Sequence, residues 1–88
     1  MVTREATIVN PLGLHARAAA KFVRLASQFD ATVRVAKGPR ELDGKSILGL
    51  LLLGAARGTT VVIRADGSDA EAAADALTAL VADGFGEL

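Results

Sequence analysis

The sequence predicts an α+β fold of two layers, in which three helices cover one face of a four-stranded antiparallel sheet. Alternating apolar and polar residues indicate four short strands, and apolar residues at helical spacing indicate three helices. These segments follow one another in the order β-α-β-β-α-β-α. A short turn joins the second strand to the third, so these two must be antiparallel, and the helices need one sheet face to bury against.

The first strand and the first helix flank a turn. Residues 3–9 alternate as a strand does, and the Pro and Gly of residues 10–13 end it. A helix is predicted over residues 16–28. Its apolar face consists of Ala18, Phe22, Leu25, Ala26 and Phe29. A basic stripe on another face includes Arg17, Lys21 and Arg24.

The middle of the chain holds two strands, a short helix and a fourth strand, predicted at residues 31–36, 40–42, 47–53 and 60–65. Ser46 precedes the short helix, where serine is a favoured N-cap. The helix is apolar all round. Its sheet-facing residues are expected to be Ile47, Leu50 and Leu53.

The last helix has a capping-box start, with Ser68 as the N-cap and Glu71 three residues on. Gly84 is placed for a left-handed C-terminal cap, with Phe85 packing back over the helix end. The predicted buried face consists of Ala73, Ala74, Leu77, Leu80 and Val81.

Length and composition exclude several function classes. A chain of 88 residues fits one domain, 1–88, with a modest core, so a surface site is expected. Zero net charge and only three aromatic residues argue against a nucleic-acid partner. Without Cys there is no disulfide or thiolate metal site, and no pattern implies a metal or cofactor. No signal peptide or membrane span is recognisable, so we expect a soluble cytoplasmic protein without membrane insertion.

His15 is the single histidine, and it stands between a Gly-containing turn and the predicted first helix. The first amides of a helix attract an anion. Arg17 in the first turn is unfavourable there by about 0.3–1 kcal/mol, a cost that a bound phosphate would offset. An imidazole can accept and release a phosphoryl group, and no carboxylate stands nearby in sequence as a hydrolytic base. These residues favour a phosphoryl carrier, and a solvated surface histidine or plain cap is the alternative.

Two segments carry a family resemblance. Residues 13–17 (Gly-Leu-His-Ala-Arg), with 18–23 after them, closely resemble the active-site segment of the HPr family, the histidine-containing phosphocarriers of the bacterial phosphoenolpyruvate:sugar phosphotransferase system (PTS). Residues 44–50 resemble that family's regulatory serine motif, and residues 58–59 and 84–86 also fit.

The resemblance implies an open-faced β-sandwich and a phosphocarrier rather than a self-sufficient enzyme. It implies that His15 accepts a phosphoryl group on Nδ1 from phosphorylated enzyme I and passes it to A-type domains of enzyme II sugar permeases. Arg17 matches the arginine that attends the histidine, and the backbone amides of Ala16 and Arg17 complete the anion site. Many members have Pro where this chain has Ala18. That departure leaves a nitrogen-related branch with a regulatory acceptor as the alternative.

The short helix at residues 47–53 is predicted to take part both in regulation and in the binding of partner proteins. The resemblance implies that HPr kinase/phosphorylase phosphorylates Ser46 and so weakens transfer from enzyme I, and a plain N-cap is the alternative. Leu48 and Leu51 are expected to form the apolar centre of a docking surface. The full predicted partner-binding set is Lys21, Arg24, Lys45, Ile47, Leu48 and Leu51. We expect a monomer. A purely regulatory protein of the same fold and an unrelated ligand-binding module are the remaining alternatives.

Overall fold

A computed structural model describes residues 1–87 of the chain. Its elements follow the predicted order, with a short 3-10 turn after the last helix. The strands are β1 (Val2–Thr7), β2 (Thr32–Lys37), β3 (Arg40–Asp43) and β4 (Thr60–Asp66). The helices are α1 (Ala16–Ala26), α2 (Ile47–Leu53) and α3 (Ala70–Ala82), and the C-terminal turn is Gly84–Gly86.

The four strands form one open sheet in the order β1-β4-β2-β3, and every neighbouring pair is antiparallel. Side chains of β4 alternate, so that Val61 and Ile63 are buried while Thr60 and Asp66 at the strand ends are exposed. The core joins these inward residues to a large apolar residue from each helix, Phe22, Leu50 and Leu77. The predicted α+β class and its element order are confirmed.

Two predicted elements end two residues earlier than expected, and the other predicted strand bounds differ by no more than one residue. Helix α1 ends at Ala26 rather than at residue 28, because Gln28 and Phe29 donate to the carbonyls three residues back and close the last turn tightly. Phe29 is consequently only partly buried. Strand β1 ends at Thr7 rather than at residue 9, because the next residue bonds to the loop before β4.

The predicted capping box at the start of α3 is wrong. The N-cap is Asp69, not Ser68, and its side chain makes no capping bond. The Asp69 carboxylate instead accepts the backbone N–H groups of Asp30 and Ala31, each at 2.8 Å, because these amides between α1 and β2 have no ladder partner. Leu80, predicted in the buried face, is only partly buried. The left-handed cap at Gly84 is present, with φ +64°.

Helix α2 has the predicted bounds, but one of its side chains does not face the sheet. Leu50 and Leu53 are fully buried, whereas Ile47 is exposed. Residues three apart are offset by about 60° around the helix axis. With Leu50 and Leu53 facing the core, Ile47 therefore lies at the edge of the buried face, where it is open to solvent.

Candidate functional site

His15 is the N-cap of α1. Its backbone is extended (φ −77°, ψ 178°), and its carbonyl accepts the N–H of Ala19 at 2.8 Å. The imidazole makes no capping bond, so it is free of the helix backbone. It stands beside the first amides of α1, which have no partner within the helix.

Gly13 shapes the turn before His15. Its φ is +66°, and a Cβ at this position would come within 2.7 Å of the Ala55 carbonyl oxygen. The N–H of Leu14 donates to that same oxygen at 2.9 Å. The turn is therefore attached to the segment after α2, and a residue without a side chain fits there best.

Glu87 is the nearest acidic partner of the histidine. Its Oε2 lies 2.6 Å from His15 Nε2, and its Oε1 accepts the Nδ2 of Asn10 at 3.0 Å. An ionised carboxylate only accepts hydrogen bonds, so Nε2 carries the hydrogen of this contact. In the neutral ring, Nδ1 then keeps its lone pair.

Sequence reasoning missed Glu87, because it judged carboxylates by their distance along the chain and this one lies 72 residues from His15. The signal that could have found it is the left-handed glycine cap after α3. This cap turns the chain back, and the buried Phe85 holds it against the core. The Glu87 carboxylate accepts a hydrogen bond from His15 Nε2, which leaves the other ring nitrogen, Nδ1, unprotonated in the neutral ring.

The pKa of Glu87 is lowered from its ordinary value of 4.5. The hydrogen bond from Asn10 is the main cause, the hydrogen bond and charge of His15 and the charge of Lys21 act in the same direction, and burial opposes them. Its contribution to stability is therefore fully present above the ordinary value and is lost as the pH falls through the lowered pKa.

The two residues after His15 form the first turn of α1, and both are exposed. No acidic residue accompanies them in that turn. Together with His15 and Glu87 they border a surface depression, whose lining is Pro11, Leu12, His15, Ala16, Arg17 and Glu87. This depression presents an imidazole, a guanidinium and free amides to solvent, which suits an anion such as phosphate.

The predicted partner-binding cations do not all point freely into solvent. Lys21 Nζ donates to the Phe85 carbonyl at 2.6 Å and ties α1 to the C-terminal turn. Lys45 Nζ donates to the Phe29 carbonyl at 2.8 Å. Arg24, in the last turn of α1, is exposed. Two of the three predicted partner-binding cations, Lys21 and Lys45, therefore form hydrogen bonds that stabilise the fold.

The predicted apolar patch lies on α2, which packs against α1. The exposed fraction is 67% for Leu48, 43% for Ile47 and 39% for Leu51. Leu52, not predicted in the patch, is also exposed, at 59%. Such a cluster of exposed large apolar residues is typical of a binding surface.

Ser46 is the N-cap of α2. Its Oγ accepts the backbone N–H of Gly49 at 3.0 Å. Ile47 and Leu48 follow Ser46 directly in sequence, so any group added at Ser46 lies beside the exposed apolar patch.

Within residues 1–87, no cluster of three or more potential ligands could hold a metal ion, and none of the helices has the length and apolar character needed to cross a bilayer.

Comparison with known proteins finds one family. The model described as "PTS HPr component phosphorylation site" matches residues 2–83. The phosphocarrier protein HPr of Cupriavidus necator is 48% identical over 87 residues, which is 99% of this chain and 98% of the relative. The phosphocarrier protein NPr of Shewanella violacea is also 48% identical, over 96% of this chain and 92% of the relative.

The fold has a solved counterpart. The crystal structure of HPr-C-His from Thermoanaerobacter tengcongensis superposes with a TM-score of 0.96 at 41% sequence identity. The match covers 100% of this chain and 99% of that one. The sequence similarity and the similarity in backbone fold to HPr proteins therefore both extend over nearly the whole chain.

Proposed function

The chain belongs to the HPr family of PTS phosphocarriers, and from this premise we propose that it carries a phosphoryl group on His15. In this proposal phosphorylated enzyme I is the donor, and A-type domains of enzyme II are the acceptors. In this proposal the chain is a cytoplasmic carrier with a covalent phosphohistidine intermediate rather than a self-sufficient enzyme.

The observation that carries the proposal is the contact between His15 Nε2 and Glu87 Oε2 at 2.6 Å. The Nδ1 lone pair attacks phosphorus, and the bond from phosphorus to the donor breaks with its electron pair leaving on the donor. The ring becomes a cation that keeps the hydrogen on Nε2. Glu87 stabilises that cation, as the carboxylate of a catalytic triad stabilises imidazolium.

The phosphoryl oxygens are bound by the start of α1. The backbone amides of Ala16 and Arg17 point to the space before the helix, and the Arg17 guanidinium offers paired donors. Incubation with phosphoenolpyruvate and enzyme I is expected to add one phosphoryl group that is lost in acid and retained in base. A chain that stays unlabelled with a competent enzyme I would contradict the proposal.

A nitrogen-related acceptor is the second candidate, because a relative named NPr matches as well in identity as the HPr relative does. The carrier chemistry on His15 is the same in both. Phosphorylated chain offered to an A-type domain of a sugar permease and to one of the nitrogen-related system separates them. The faster acceptor identifies the branch.

Docking is proposed to occur on the apolar patch of α2, with Leu48 and Leu51 at its centre. Replacing Leu48 with Ala is expected to raise the KM for this chain in the enzyme I reaction by roughly tenfold, about 1.4 kcal/mol of lost binding. Stability should change little, since the side chain is mostly exposed. Glu71→Ala is the control, because it removes a side chain of similar length that is 79% exposed on α3, outside the patch. Equal KM values for the two variants would contradict this docking surface.

Regulation is proposed at Ser46, with HPr kinase/phosphorylase as the modifying partner. The variant Ser46→Asp adds charge beside the patch, and we expect it to slow transfer from enzyme I by roughly tenfold, about 1.4 kcal/mol. Ser46→Asn keeps an equally good N-cap without the charge, so it should transfer like the unmodified chain. The check is the transfer rate at equal folded fraction. An Asp variant that transfers as fast as the Asn variant would leave Ser46 as a structural cap.

A further inference from the structure

We propose that Asn10 is a positioning residue that sets the reactivity of His15 through Glu87. This inference rests on the proposed carrier function, and it assigns a role to a residue that sequence analysis interpreted only as part of a turn. Asn10 follows β1 and is fully buried, the one polar residue buried among residues 1–87. It does not touch the reacting nitrogen.

The side-chain amide of Asn10 bonds both to the turn before His15 and to the carboxylate that contacts its ring. Asn10 Nδ2 donates to the Gly13 carbonyl at 2.8 Å and to Glu87 Oε1 at 3.0 Å. The first bond holds the turn that leads into His15. The second holds the carboxylate whose other oxygen meets the ring. Both donors of the amide are therefore used, one to hold the turn at Gly13 and one to hold the Glu87 carboxylate against the ring.

The acceptor side of the same amide is unused. Within residues 1–87, Asn10 Oδ1 is buried and has no hydrogen-bond partner. A buried acceptor without a partner destabilises a fold. A residue kept there for stability alone would satisfy both ends of its side chain or be apolar. What this position provides is a pair of donors, and one of them goes to Glu87.

The position of the Glu87 carboxylate also depends on the unusual backbone conformation of the residues before it. Gly84, Phe85 and Gly86 all have positive φ, at 64°, 57° and 74°. For Phe85 this conformation is unfavourable, and the residue is held in it by burial and by the bond from Lys21 to its carbonyl. The segment that carries Glu87 is thus fixed up to Gly86, and Asn10 then fixes the side chain itself.

The consequence for the ring is a single tautomer. While Asn10 holds Oε1, Oε2 stays against Nε2, the hydrogen stays on Nε2, and Nδ1 stays available as the nucleophile. Without the donor, the carboxylate can rotate away and the ring hydrogen is free to occupy either nitrogen. The charged groups around this ring are Glu87 itself and, on α1, Arg17 and Lys21.

The test reads the tautomer directly in unphosphorylated protein. Long-range proton–nitrogen NMR spectra of the neutral ring report which nitrogen bears hydrogen, and the single histidine makes the assignment unambiguous. The unmodified chain should show hydrogen on Nε2. Asn10→Ala should move the two nitrogen signals toward each other. Glu87→Gln should invert them, because the Gln amide can donate to Nε2 and so favours hydrogen on Nδ1.

Asp69→Ala is the matched control. It also removes two hydrogen bonds between distant segments, but away from His15, and should leave the tautomer unchanged. A folded Asn10→Ala variant with the tautomer of the unmodified chain would overturn the inference. So would an equal loss of tautomer preference in the Asp69→Ala variant, since it would show a general effect of destabilisation.

A second readout does not need a folded Asn10 variant. The side-chain amide signals of Asn10 should shift in Glu87→Ala, in step with loss of the single tautomer. If the tautomer changes and the Asn10 amide does not, Asn10 is not linked to the ring and the inference fails. Because no phosphorylation is involved, these results stand apart from the labelling by enzyme I that tests the carrier function.

Discussion

Replacing His15 with Ala is expected to reduce phosphoryl labelling by phosphoenolpyruvate and enzyme I to background. Nδ1 is the nucleophile in the proposed transfer, and the chain has no other histidine. The helix should survive, because the side chain makes no capping bond and α1 begins with three residues of high helix propensity, Ala16, Arg17 and Ala18. The free energy of unfolding should change by no more than about 1 kcal/mol.

Two measurements separate lost chemistry from lost structure. Urea unfolding gives the stability of the His15→Ala variant, and competition against the unmodified chain shows whether it still binds enzyme I. We expect a folded competitive inhibitor. A variant that still takes up acid-labile phosphate would place the phosphoryl group on another residue and contradict the account.

Replacing Gly13 with Ala is expected to have the largest effect on stability. The residue sits at φ +66°, which costs an alanine about 1–2 kcal/mol, and its Cβ would meet the Ala55 oxygen at 2.7 Å. Relieving that contact requires the turn to move, at a further cost of about 1–3 kcal/mol. The turn leads directly into His15, so the transfer rate should fall as well.

Gly38→Ala is the matched control for this variant. Gly38 also has a positive φ, +58°, but a Cβ there meets nothing within 4 Å. It should therefore lose only the cost of the left-handed backbone, reduced by about 0.4–1 kcal/mol through the unfolded state. Urea midpoints at a common slope give both free energies of unfolding. Equal losses in the two variants would show that the approach to Ala55 is not tight.

The sequence was sufficient for the elements whose signals are local. Ser46 as an N-cap, followed by an apolar run that a glycine ends, predicted α2 with its observed bounds. His15 was placed at the start of α1 by the turn before it and the helical spacing after it. The antiparallel pairing of β2 with β3 followed from the short connection between these two strands.

The missed features all depend on contacts between segments distant in sequence. Asp69 looked like the second residue of a capping box, but its carboxylate meets amides 38 and 39 residues away. Glu87 reaches His15 and Asn10 only after the sheet and α3 have placed the C-terminal turn beside α1. Lys21 was predicted as a partner-binding residue in a basic stripe, and its hydrogen bond to the Phe85 carbonyl depends on the same packing of the C-terminal turn against α1. Local patterns carry no information on such contacts.

The most direct test of the carrier account is phosphorus NMR of the chain after phosphorylation by phosphoenolpyruvate and enzyme I. The two phosphohistidine isomers have distinct spectra, and their ring nitrogens can be assigned in the single histidine. We predict one phosphoryl group on Nδ1 of His15, with hydrogen on Nε2 facing Glu87. A phosphoryl group on Nε2, or on a residue other than histidine, would contradict the account.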